Sequence, residues 1–279
     1  MPWQSWFNAE VYERFVREHR IYSWLNSNLV RLADVAGADR VLDLGCGTGA
    51  TTIACLSKMG ARAEIVGIDA SDEMLAVARA SIADPRARFE ALPAAAVDRL
   101  PGGFDRVVSN AAIWQFPALE PVFRALGKQT RAGGRLVFNI PAERVSGESA
   151  PVHPFQVSLL RRIEAEIGRP LAGAPSILDP TVLEAMGAEH GFELVSRERY
   201  TYQGYQDELM QLMSFPAMTS PLAPELTQAR CEAVWHGACQ VAEADLPVEV
   251  PWVYFVFERR DARHLPVRAQ AQRHAADCR

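Results

Sequence analysis

Residues 41–52 read VLDLGCGTGATT: a short apolar run with an acid at Asp43, glycines at 45, 47 and 49, then small residues that can open a helix. A strand that runs through glycines into a helix is the sequence form of a nucleotide-binding βα unit. In such a unit, backbone N–H groups and the helix N-terminus receive a pyrophosphate. Gly45, Gly47 and Ala50 satisfy the G-x-G-x-x-G/A expression of dinucleotide sites. Asp43 points elsewhere, because a fixed carboxylate two residues before the turn repels phosphate. In a partly desolvated cleft it attracts a ligand that carries positive charge.

Outward from this stretch, short apolar strands alternate with helices. RVLDLG, AEIVGIDAS, ARFEAL, FDRVVSN and the end of RAGGRLVFNIP read as five strands, separated by TTIACLSKM, SDEMLAVARASIA and LEPVFRALGKQT as helices. Ser71 is the expected cap of the SDEMLAVARASIA helix, with Asp72 and Glu73 in its first turn. This rhythm predicts a doubly wound, mostly parallel sheet over residues 38–142. FELVSRERYTY and WVYFVFERR add a sixth and a seventh strand. Residues 9–35 carry apolar positions at helical spacing, with one break, and end at Gly37. The expected organisation is an N-terminal helical cap segment over 1–37, the core over 38–142, and a cap insertion over 143–178. The rest of the core follows over 179–260, with a second helical insertion at about 203–247, and a polar tail over 261–279. The fold class is thus α/β: a seven-stranded, mostly parallel, doubly wound sheet under a helical cap from the N-terminus and two insertions.

A second acid completes the pattern. Asp69 closes the second strand 20 residues beyond Gly49, where a carboxylate can accept hydrogen bonds from both hydroxyls of a ribose. Asp43, the D-x-G-x-G-x-G turn, Asp69 and the fourth-strand ending SNAAIW together resemble the class I S-adenosylmethionine-dependent methyltransferases, in particular the small-molecule group. The resemblance covers residues 38–142 and extends to WVYFVFE. It implies S-adenosyl-L-methionine as cofactor, S-adenosyl-L-homocysteine as product, and no metal. It also implies that Gly45, Gly47 and Gly49 let the backbone approach the methionine part, with Asp43 near the amino group, directly or through water. Asp69 would hold the ribose, Ala70 and Met74 would flank the adenine, and Asn110 and Ala111 would border the methionine moiety and the methyl group. One departure stands out: the family often has an acid after the third strand for the adenine amino group, and here PAAA follows, leaving Ala94 and backbone groups. SNAAIWQF and the insertion before the last strand also look like malonyl-carrier-protein carboxyl methyltransferases.

Composition narrows the partners. The 279-residue chain is 49% hydrophobic and carries a net charge of −5, so no basic field draws a nucleic acid. Five cysteines without CxxC spacing suggest neither a disulfide framework nor zinc, and no signal-like or membrane-spanning run is present. A cytoplasmic enzyme with a small-molecule acceptor is the expectation. Two aromatic clusters suggest where that acceptor lies: seven of 24 aromatics fall in the first 24 residues, and a second group surrounds Tyr200–Phe215. Tyr12, Tyr22, Trp114 and Tyr205 are the expected acceptor-binding residues, the clusters meeting with Trp114 over the methyl group. His153 and His236, both in cap segments, are the candidates for a general base if the acceptor arrives protonated. A carboxylate acceptor, of an acyl carrier or fatty acid, needs no base but wants an arginine; Arg144, Arg161, Arg162 and Arg199 are available. A protein that binds the cofactor without transferring methyl, and an NAD(P)-dependent oxidoreductase, are the alternatives.

Overall fold

The computed structural model describes residues 6–171, 177–215, 218 and 222–261. Seven strands form one sheet in the order β3-β2-β1-β4-β5-β7-β6. The strands are β1 (Arg40–Leu44), β2 (Glu64–Asp69), β3 (Ala87–Ala91), β4 (Phe104–Ser109), β5 (Thr130–Pro141), β6 (Phe192–Tyr205) and β7 (Pro247–Arg259). Strands β1 to β5 run parallel, and β7 inserts antiparallel between β5 and β6. The sheet is therefore the predicted doubly wound one, with the order reversing between β1 and β4. In such sheets ligands bind outside the carboxyl ends of the strands at this reversal.

Buried on both faces, the central strands read as apolar runs. One face packs against α1 (Trp6–Glu18), α2 (Ile21–Ala33) and α3 (Ala50–Leu56) through Leu25, Leu29, Val41, Ile65 and Tyr254. The opposite face packs against α5 (Glu120–Gln129) and α7 (Pro180–Glu189) through Leu42, Phe123, Leu183, Phe255 and Phe257. The expected break in the N-terminal helical segment falls at residues 19–20. Between β3 and β2, α4 (Asp72–Ser81) starts as expected at Ser71, whose hydroxyl accepts from Met74 N–H.

The insertions form a layer of their own. Phe155, Leu159 and Ile163 of α6 (Pro154–Ile167) pack with Val234 and Ala238 of α9 (Gln228–Cys239) as a satellite core. The short helix α8 (Gln206–Leu212) ties this layer to the N-terminus. Its Glu208 accepts from the backbone N–H of Ile21 at 3.2 Å and from the Tyr202 hydroxyl at 2.7 Å. No side chain of its own caps α2, so a carboxylate from the far end of the chain satisfies its first turn. Among the described residues, no helix is long and apolar enough to cross a membrane. Of the expected tail, residues 262–279 lie outside the described residues.

Candidate functional site

At the carboxyl edge of β1 the glycine turn takes a shape that only glycine tolerates. Gly45 has φ +75° and Gly49 has φ +92°. A methyl group on Gly45 would stand 2.9 Å from Ala112 Cβ, and one on Gly49 would stand 2.5 Å from Ile82 Cδ1. The turn is anchored to the neighbouring strand, since Gly45 and Cys46 both donate to the Ile68 carbonyl. Asp69, at the end of that strand, accepts from Gly47 N–H and from Ser71 N–H, each at 2.9 Å. One carboxylate thus braces the two loops that face each other across the cleft. Burial raises its pKa, and the backbone donors oppose the shift.

Asp43 lies wholly buried beneath the turn. Its Oδ2 accepts from the Thr52 hydroxyl at 2.7 Å, while its Oδ1 is buried without a partner. Desolvation pushes its pKa up to about 7, against the Thr52 hydrogen bond and with a smaller push from Asp69. The Thr48 hydroxyl in the same turn is also buried and unpartnered. An unpartnered carboxylate oxygen and an unpartnered hydroxyl thus lie under the glycine turn, and the carboxylate, once ionised, favours positive charge nearby.

The fourth strand supplies the opposite wall through a buried polar clamp. Asn139, near the carboxyl end of β5, donates to Asn110 Oδ1 at 2.6 Å and accepts from Ala111 N–H at 2.7 Å. Ala111 has φ +52°, a left-handed conformation that a non-glycine residue holds only when its surroundings impose it. Asn139 is thus a site residue that the motif reading missed. The sequence shows only a lone amide among the apolar residues of LVFNIP, and the structure buries it fully.

Between these walls lies a cavity of about 270 Å³. Gly45, Gly47, Asp69, Ala70, Met74, Ala94, Asn110 and Ala111 all line it, as do Tyr12 and Tyr22. Asp43 and Gly49 stand behind the turn rather than at its surface. At the far end the wall is Leu92, Pro93, Ala95, Phe116, Pro117 and Pro121, with no acidic side chain, as the PAAA segment implied. Tyr12 leans over the glycine turn, its ring carbon 3.8 Å from where a Gly47 methyl would stand. Tyr12 and Tyr22 meet edge to face with ring centroids 5.4 Å apart. Burial pushes the Tyr22 hydroxyl up to about 12 and also raises Tyr12 well above its ordinary value, so both phenols are neutral at physiological pH.

Four of the expected residues, Trp114, Tyr205, His236 and His153, lie away from the cavity lining. The two aromatic clusters do meet, but at Phe215, which contacts Tyr12 and Phe15. Trp114 turns instead toward Trp252, with centroids 5.6 Å apart, and does not line the cavity. Tyr205 is 56% exposed, because strand alternation that turns Tyr202 inward turns Tyr205 out. His236 sits on the exposed side of α9, its Nδ1 against the Glu232 carbonyl. His153 is buried just before α6, where burial lowers its pKa against a hydrogen bond with the Glu249 backbone. Neither histidine lines the cavity.

Comparison with known proteins agrees with this geometry. The family described as a methyltransferase domain matches residues 36–166, the stretch that holds the turn, Asp69, Asn110 and Asn139. The chain has the class I methyltransferase fold. Two relatives are trans-aconitate 2-methyltransferases. The one from Deinococcus radiodurans is 32% identical over 53% of this chain and 58% of its own length. The one from Variovorax paradoxus is 29% identical over 88% of this chain and 78% of its own. The match thus spans little more than half of the Deinococcus protein. Among solved structures, a Haemonchus contortus phosphoethanolamine N-methyltransferase in complex with S-adenosylhomocysteine superposes with a TM-score of 0.52 at 16% identity. It covers 85% of this chain and 52% of that one. The matching family and the relatives are methyltransferases, which sets them against the dinucleotide reading of the turn. Among the described residues, no group of three or more His, Cys, Asp or Glu side chains could hold a metal ion.

Proposed function

We propose that the protein is an S-adenosylmethionine-dependent methyltransferase acting on a small acceptor with an apolar or aromatic body. The observation that carries this reading is the buried, unpartnered Oδ1 of Asp43 beneath a glycine turn braced by Asp69. When bound, the cofactor supplies a methyl group made electrophilic by an adjacent sulfonium. The residues present suit it: Asp43, behind the turn, lends its charge to the ammonium of the methionine part, directly or through water, and the second lone pairs of the Asp69 oxygens receive the ribose hydroxyls. Met74 and Ala70 face the adenine across from the proline-rich wall. Adenine is selected there by shape and backbone groups.

The chain's own contribution to rate is placement. Methyl transfer is an in-line displacement, so a wall that fixes the acceptor's approach removes most of the entropic barrier. Asn139 holds Ala111 and Asn110 rigid on one side, and Tyr12 and Tyr22 close the other and keep water out. Support for a small acceptor comes from the size of the cavity, about 270 Å³, and from the two trans-aconitate relatives, whose names specify a small molecule. Trans-aconitate, the acceptor in the names of both bacterial relatives, heads the panel of compounds to test.

The experiment is to incubate the purified protein with methyl-labelled S-adenosylmethionine and a panel of small acids, phenols and amines. Label transfer together with S-adenosylhomocysteine release is expected for at least one acceptor. Tight cofactor binding with no transfer to any acceptor would favour the second reading, a protein that binds the cofactor for another purpose.

A further inference from the structure

The short helix α8 carries two buried polar side chains that do not line the cleft, Gln206 and Glu208. Gln206 accepts from the Phe155 N–H at the start of α6 and donates to the Glu243 carbonyl, which ties α8 to the cap layer. Glu208 reaches the N-terminal helices instead. Its Oε2 accepts from Ile21 N–H at 3.2 Å and its Oε1 from the Tyr202 hydroxyl at 2.7 Å. Gly204 leaves the room for this pair: a methyl group there would stand 2.7 Å from Glu208 Oε1 and 2.5 Å from Tyr202 Cε1.

Ile21 opens α2 and Glu18 closes α1, so Glu208 grips the joint between the two helices that carry Tyr12 and Tyr22. Both tyrosines line the cavity. They belong to one aromatic group: Tyr22 meets Tyr12 at 5.4 Å and Phe15 at 5.8 Å between ring centroids, each edge to face. Phe215, shortly after α8, meets Tyr12 at 6.1 Å and Phe15 at 5.3 Å. The α8 segment thus reaches the cavity wall twice, by a hydrogen bond at the joint and by ring packing. A carboxylate suits the joint for two reasons. It offers an acceptor to each of two donors at once, and its charge lies at the positive end of α2, whose own N-cap side chain makes no bond. Burying that charge is costly unless both hydrogen bonds form, so the joint is held in one position.

We propose that Glu208 is a positioning residue for methyl transfer: by fixing the α1–α2 joint, it sets Tyr12 and Tyr22 against the glycine turn and so shapes the wall that cofactor and acceptor meet. Tyr12 stands over that turn, its ring carbon 3.8 Å from where a Gly47 methyl would lie, so a shift of the joint is felt where the methionine part binds. This rests on the methyltransferase reading. Glu208 acts through the tyrosines, since it does not itself line the cavity.

The test is a double-mutant cycle on S-adenosylhomocysteine affinity, read by calorimetry, with Glu208→Gln and Tyr12→Ala. The amide keeps the size of Glu208 but turns an N–H toward one of its two donors. Glu208→Gln alone should weaken binding by about fivefold, and on the Tyr12→Ala background by less than about twofold, because the residue it acts through is gone. Tyr202→Phe should follow the same pattern with a smaller loss. The role is overturned if Glu208→Gln binds like the wild type, or if its cost is the same with and without Tyr12, as a merely structural role would give. Should Glu208→Gln fail to fold, the cycle with Tyr202→Phe decides by the same two criteria. Hydrogen exchange on ligand-free protein is the second readout: the variant should exchange faster over residues 12–25 and unchanged over β1 and β4. Failure of S-adenosylhomocysteine to bind the wild type would count against the methyltransferase reading instead. Exchange then decides whether Glu208 sets the wall, and unchanged exchange over residues 12–25 would overturn it.

Discussion

On the side we assign to the cofactor, Asp43, the glycine turn, Asp69 and Asn110 all lie within a few residues of the carboxyl ends of adjacent parallel strands. On the side we assign to the acceptor, Tyr12, Tyr22 and Phe215 come from opposite ends of the chain and meet only through side-chain packing. The first half is backbone geometry: once the strands pair, the positions of its functional groups follow. The second half is tertiary, and its members are fixed by contacts such as Glu208 with Ile21 N–H. Changes on the cofactor side should therefore act on binding steeply and locally. Changes at the residues first expected on the acceptor side should separate those that line the cleft from those that do not.

The steepest effect is expected at Asp69. Its carboxylate braces two loops, and in our reading it also holds the ribose. Asp69→Ala should weaken S-adenosylhomocysteine binding by about 100-fold or more, at about 1.5–3 kcal/mol for each hydrogen bond to a charged group. Calorimetry checks this, and a loss of less than tenfold would break the contrast between the two halves.

Next is a pH effect from Asp43. Its folded pKa of about 7 lies above its ordinary value of 3.8, so ionising it in the cofactor-free fold is unfavourable. The sign follows: Asp43 favours the fold at low pH, and that contribution is lost as pH rises from about 3.8 to about 7. A ligand ammonium needs the ionised form, which at pH 6 is roughly a tenth of the population. S-adenosylhomocysteine should then bind about tenfold more weakly at pH 6 than at pH 8. Asp43→Asn should give a flat and uniformly weak profile; a wild-type profile equally flat would exclude Asp43 from the ammonium site.

Most of the cofactor half was legible in the sequence because its determinants are local. The glycine positions demand positive φ, and the two acids sit at strand ends that hydrophobic runs predict. Asn139 was not legible as a site residue, since its role is to pin Ala111 across a strand pairing that no motif encodes. The histidines show the limit from the other direction. His153 precedes α6 and His236 lies on α9, and which way their side chains turn depends on how α9 packs on α6. Trp114 rests against Trp252, a partner that only the β5–β7 pairing reveals.

Asn139→Ala should sharpen the comparison further. It releases Ala111 from its strained conformation and leaves Asn110 unclamped, so cofactor affinity should fall several-fold and stability by about 1–3 kcal/mol. Chemical denaturation and calorimetry measure the two losses separately. The smallest effects belong to His153→Ala, His236→Ala and Tyr205→Ala. Each should leave methyl-transfer turnover within about twofold, whereas the about 100-fold loss expected of a general base would return that histidine to the reacting atoms.

The most direct test of the central claim is calorimetric titration of the wild-type protein at pH 8 with S-adenosylhomocysteine and, in parallel, with NADH. The account predicts saturable micromolar binding of S-adenosylhomocysteine and no heat from NADH. Tight NADH binding with no response to S-adenosylhomocysteine would contradict it, because the carboxylate under the turn would then be tolerating a pyrophosphate.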